Sequence, residues 1–109
     1  MAKNIHDLMV GPNWKSFLHR MEKKRTKRIL LDKRSYEVPG IEGHIKVLVS
    51  VYLTPYGFRE IVRIAGQTKT VQQRLNTPSQ VLRALQKCDP NATEQKWLKI
   101  IFTEIPEKH

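Results

Sequence analysis

Cysteine is almost missing from this 109-residue chain, with Cys88 standing alone. A single thiol makes no internal disulfide, and no Cys pair is present to begin a zinc site. That usage fits a reducing, cytoplasmic setting. Aromatic residues are also scarce, at 7% of the chain, so the core must rely on aliphatic side chains. No apolar run exceeds three residues, too short for a membrane-spanning helix. Met1 to Val10 is interrupted by His6 and Asp7 and lacks the continuous apolar region of a signal peptide. The glycines Gly11, Gly40, Gly43, Gly57 and Gly66 are too widely spaced to form a phosphate-cradling loop. His6, His19, His44 and His109 show no metal-ligand spacing. Asp32 and Glu37 beside Lys33 are too few to converge as a nuclease metal site and read as local ion pairs. No acyl-transfer motif surrounds Ser16, Ser35, Ser50 or Ser79. No catalytic residue, metal or cofactor is therefore expected, and the chain is read as a non-enzyme.

Acidic residues are the other shortage. Ten Asp and Glu face twenty Lys and Arg, a formal net charge of +10. An excess of this size costs self-repulsion in the compact state, and a polyanion relieves it. The imbalance is uneven: residues 1–36 hold ten basic and three acidic groups, residues 37–109 ten and seven. Length and composition indicate one globular domain spanning residues 1–109, with residues 1–12 as a loosely packed N-terminal arm.

Helical and strand periodicities then divide the chain. Residues 4–10 read as a helical turn capped by Asn4 and stopped at Gly11-Pro12. Asn13 caps a second helix to about Arg25, whose apolar stripe is Trp14, Phe17, Leu18 and Met21. Ile29 to Val38 reads as a strand closed by Pro39-Gly40. His44 to Leu53 alternates most cleanly, Thr54-Pro55-Tyr56-Gly57 suits a turn, and Phe58 to Ala65 returns. Pairing Leu53 with Phe58 sets Val51 against Glu60, Val49 against Val62 and Val47 against Ile64 on the core side, with Glu60 the misfit. Thr68 to Leu75 reads as a further strand with Val71 and Leu75 inward. Thr77-Pro78-Ser79-Gln80 is a capping box that opens a helix through Cys88, ended by Asp89-Pro90. Trp97, Leu98, Ile101, Phe102 and Ile105 share a helical face, although the segment is also rich in β-branched residues; helix is favoured, ended by Pro106. The expected class is α+β: an antiparallel sheet of three to four strands, with an N-terminal amphipathic helix and one or two C-terminal helices packed on one face.

Two features stand out as phosphate-binding candidates. Lys23, Lys24, Arg25, Lys27 and Arg28 put five basic residues into six positions, with Lys33 and Arg34 following. The plain alternative is a solvated helix end whose cations answer the helix dipole. The outward side of the central hairpin carries Lys46, Arg59 and Arg63 around Tyr52, with Leu48, Ser50 and Ile61. Such a face suits a nucleic-acid strand with the ring stacked on a base, and Tyr56 at the turn is a second ring. Its plain alternative is an ordinary solvent face, or a seat for the N-terminal helix. Arg83 and Lys87, one turn apart on the capped helix, are the weaker candidates for entry into a DNA groove. Cys88, Trp14 and Trp97 lie on apolar stripes and read as packing residues.

The expectation is a non-catalytic protein that binds DNA or RNA through phosphate. The alternative is a small interaction or inhibitor protein docking on an acidic protein surface. A membrane-surface role is disfavoured, since Trp14 and Phe17 are needed for the core. An exposed hairpin edge offers a route to a homodimer.

Overall fold

The computed structural model describes residues 4–10 and 14–105. The expected stops at Gly11-Pro12 and Pro106, the Asn13 cap and His109 lie outside the described residues. Among the described residues, four helices and four strands follow one another as α1 (Ile5–Val10), α2 (Trp14–Lys23), β1 (Ile29–Gly40), β2 (Gly43–Thr54), β3 (Gly57–Ile64), β4 (Thr70–Leu75), α3 (Pro78–Cys88) and α4 (Glu94–Glu104). The strands form one antiparallel sheet in the order β1-β2-β3-β4, and the helices lie on one of its faces. The expected α+β class is what the chain adopts.

Turn chemistry holds the β2–β3 hairpin in the expected register, with Leu53 opposite Phe58, Val51 opposite Glu60 and Val47 opposite Ile64. Thr54 Oγ1 donates to the Gly57 carbonyl at 2.8 Å and accepts from the Tyr56 N–H at 3.1 Å. Gly57 has φ +112°, a conformation that costs a side-chain-bearing residue and not a glycine. β1 runs two residues beyond the expected Val38, through Pro39 to Gly40. It is an edge strand, where a proline whose missing N–H would face solvent costs no ladder bond.

The core lies between the helices and one half of the sheet. Ile5, Phe17, Met21, Val51, Leu53, Phe58, Leu85, Trp97 and Ile101 are all buried there. Each such large side chain contributes roughly 1.5–3 kcal/mol relative to exposure. Trp14 adds a stack on Phe58, ring centroids 6.1 Å apart. Of the segment expected as a loose arm, residues 1–3, 11 and 12 lie outside the described residues, and Ile5 and Leu8 sit in the core. The Thr77 capping box forms, with Gln80 N–H donating to Thr77 Oγ1 and Gln80 Oε1 accepting from Thr77 N–H, both at 3.2 Å. The apolar stripe of residues 97–105 prevails over its β-branched content, because it seals the core as α4.

Beyond the helices the β1–β2 hairpin projects, which gives the molecule extents of 56 × 28 × 21 Å. Val71, expected inward, is 64% exposed: it lies opposite Val62, where no helix covers the sheet. Among the described residues, no helix is long and apolar enough to cross a membrane.

Candidate nucleic-acid interface

Strand alternation turns every second side chain away from the helices. The outward positions, read across the register, are Leu30, Tyr52, Arg59 and Arg74 in one row. Lys33, Ser50, Ile61 and Gln72 form the next, and Ser35, Leu48, Arg63 and Thr70 a third. Lys46 lies beyond them, opposite Glu37, the one carboxylate at an outward strand position. Five cations thus share the face with a low apolar floor of Leu48, Ile61 and Tyr52.

The basic run joins this face through its second half. Arg28 alternates outward just before Ile29 turns into the core, so its guanidinium lies over the Tyr52 ring, 4.6 Å from the centroid. Lys27 and Arg28 then wall a shallow recess of about 350 Å³ with Tyr52, Tyr56, Arg59 and Ile61. The run and the hairpin face, separate in the sequence, form one continuous surface there. Lys23, Lys24 and Arg25 stay exposed at the end of α2, on the helix layer. They close α2 with a Schellman arrangement: Thr26 N–H donates to the Met21 carbonyl at 2.8 Å and Arg25 N–H to the Glu22 carbonyl at 2.9 Å. Its left-handed residue is Arg25, at φ +59°, where glycine is the usual occupant.

Arg59 and Arg74 face each other directly across β3 and β4. Like charges in that relation are destabilising, and an anion placed between them reverses the sign. Arg59 Nη1 donates to the Phe58 carbonyl at 3.1 Å, which holds the guanidinium near the turn. Burial first, and the Arg74 charge second, lower the Arg59 pKa. Sequence reasoning missed Arg74, because the register of β4 was not readable from its mixed pattern.

Arg34 does not join the cationic face. A bulge between Leu30 and Asp32 shifts the alternation, so that Arg34 lies opposite Val49 on the helix side. Its Nη1 points to the Lys87 carbonyl at the end of α3, at 3.5 Å, far from the cationic face. The same bulge keeps Lys33 outward. Lys87, considered for a groove, instead pairs with the buried Glu60 carboxylate at 3.2 Å, which resolves the misfit on the core side. Arg83 remains exposed without that companion.

Asp32 and Glu37 fall on opposite faces. Among the described residues, no group of three or more His, Cys, Asp or Glu is arranged to hold a metal ion. Cys88 is half-buried, its Sγ 3.9 Å from the Val49 carbonyl. Comparison with family models, curated proteins and solved structures finds no match to this chain.

Proposed function

We propose that this chain is a non-catalytic nucleic-acid-binding protein that grips phosphate with the outward sheet face. The observation that carries the reading is the row of cations on that face, with Arg59 and Arg74 directly opposed and one carboxylate, Glu37, at the margin. Phosphate contacts need reach and charge more than fixed geometry, and Lys27, Arg28, Lys33, Lys46, Arg59, Arg63 and Arg74 supply both. Lys23, Lys24 and Arg25 extend the same potential around the end of α2.

Fluorescence-anisotropy titration of nuclease-treated protein against DNA and RNA, at several salt concentrations, tests this. Four to six phosphate contacts give a log–log salt slope of roughly −3 to −5. Arg59→Gln with Arg74→Gln should make the slope shallower by about 2. A slope near zero, or one that these substitutions leave intact, removes the sheet face from the reading. Binding to a protein that survives nuclease treatment would favour an acidic protein surface as the partner.

A further inference from the structure

The outward face is not evenly charged terrain. At the β2–β3 turn the 350 Å³ recess adjoins a second one, of about 200 Å³, which turns from the outward face towards α1 and α2 and is lined by Met9, Val10, Trp14, Tyr56, Arg59 and Arg74 among others. Tyr56 and Arg59 border both, so they form a ridge with a hollow on either side. Tyr56 is 81% exposed although it sits on a tightly bonded turn. In the larger hollow the Tyr52 ring does not offer a bare face to a ligand, because Arg28 already covers it. The outer plane of that guanidinium is the stacking surface instead, with Thr54 and Gln72 at hand as hydrogen-bonding groups.

A duplex makes poor use of this arrangement. Its base faces are stacked on one another, so planar groups in a hollow gain nothing from them. The major groove admits a two-stranded ribbon, and this face is four strands wide at about 4.8 Å spacing. The projecting end of the β1–β2 hairpin is narrow enough, but there Glu37 faces Lys46 and Glu42 sits at the turn, so it offers a duplex little net positive charge. An unpaired strand presents free base faces beside regularly spaced charges, which is what the ridge and its hollows match.

We infer that the ligand is a single-stranded nucleic acid crossing the β2–β3 turn, with one base on the Arg28-capped Tyr52, a neighbouring base past Tyr56, and the phosphate between them on Arg59 and Arg74. This rests on the nucleic-acid reading of the same face and narrows it.

The test uses short single-stranded DNA and RNA carrying 2-aminopurine, and the matching duplexes, with the full chain and its Tyr56→Ala and Tyr56→Trp variants. The expected result has two parts. The parent prefers single strands over duplexes by about tenfold or more in at least one sugar chemistry. Tyr56→Ala weakens single-strand binding roughly tenfold, leaves duplex binding and thermal unfolding unchanged, and is rescued by Tyr56→Trp. Equal, salt-sensitive binding of single and double strands overturns the inference and leaves the phosphate reading standing. So does a Tyr56→Ala variant that keeps the single-strand preference. Absence of salt-sensitive binding to any of the four nucleic acids overturns both.

Discussion

The two faces of the sheet are built by one alternation along the same strands, yet they treat charge in opposite ways. On the helix side Glu60 is 4% exposed and Lys87 is drawn down to meet it. On the outward side, among the described residues, no carboxylate pairs with Lys33, Arg59, Arg63 or Arg74. The covered face satisfies its charge internally because no water or ligand will do so. The outward face is left unbalanced, even at the cost of opposing two arginines. Residues that build the core and residues proposed to meet a ligand are therefore separated by side-chain alternation, and substitutions one position apart should have unlike effects.

Phe58 and Arg74 make the sharpest contrast. Phe58→Ala should lower stability by about 3–5 kcal/mol, since the ring is fully buried against Trp14, and should lower the thermal midpoint accordingly. Arg74→Gln, on the other face beside Arg59, should change stability by less than about 0.5 kcal/mol while affinity for nucleic acid falls. Comparable losses of stability in the two variants would break the division.

Lys87→Met probes the covered face without touching its apolar packing. It leaves the Glu60 carboxylate buried without its partner, and the half-exposed position of Lys87 moderates the loss to about 2 kcal/mol in denaturant unfolding. Adding Glu60→Leu should recover most of it. A double variant no more stable than Lys87→Met would mean that the pair does more than answer a buried charge.

Arg25→Gly should go the other way, stabilising the fold by about 1 kcal/mol by relieving the left-handed backbone at the end of α2. Affinity for nucleic acid should fall modestly in the same variant. A gain in stability with no loss of binding would remove Arg25 from the ligand surface.

The smallest effect concerns Cys88, whose thiol is pushed up to about 11, by burial first and then by the charges of Asp32 and Glu60. The folded protein should react slowly with a thiol reagent at pH 8, and the denatured chain at the ordinary rate. The protonated thiol is favoured by folding, so that contribution is complete below pH 9 and is lost as pH rises towards 11. Fast labelling of the native protein at pH 8 would show that the covered face opens there.

Much of this was legible in the chain. The clean alternation of residues 44–53 and the turn chemistry of Thr54 to Gly57 specified the register of the central hairpin to the residue. The Thr77 capping box and the Trp97 to Ile105 stripe did the same for α3 and the presence of α4. What escaped was whatever depends on pairing between distant segments. Val71 and Arg74 sit in a strand reached by a loop, so no turn sets their register. The proximity of Arg28 to Tyr52 follows from β1 closing on β2. The face that Arg34 occupies was not legible, because a bulge leaves no mark in the pattern of residue types around Leu31.

That bulge also constrains how the molecule can change. It inverts the side-chain phase of β1 once, after the strand has delivered Ile29 and Leu31 to the core and before it presents Lys33. A single insertion or deletion between Asp32 and Gly40 would invert the phase again, turning Lys33 or its successors inward and breaking step with β2. Changes that keep both phase and pairing must remove or add two residues in each strand together, a step of about 7 Å in the reach of the projecting hairpin. The length of this arm is in effect quantised, while the cationic face at its base is held fixed.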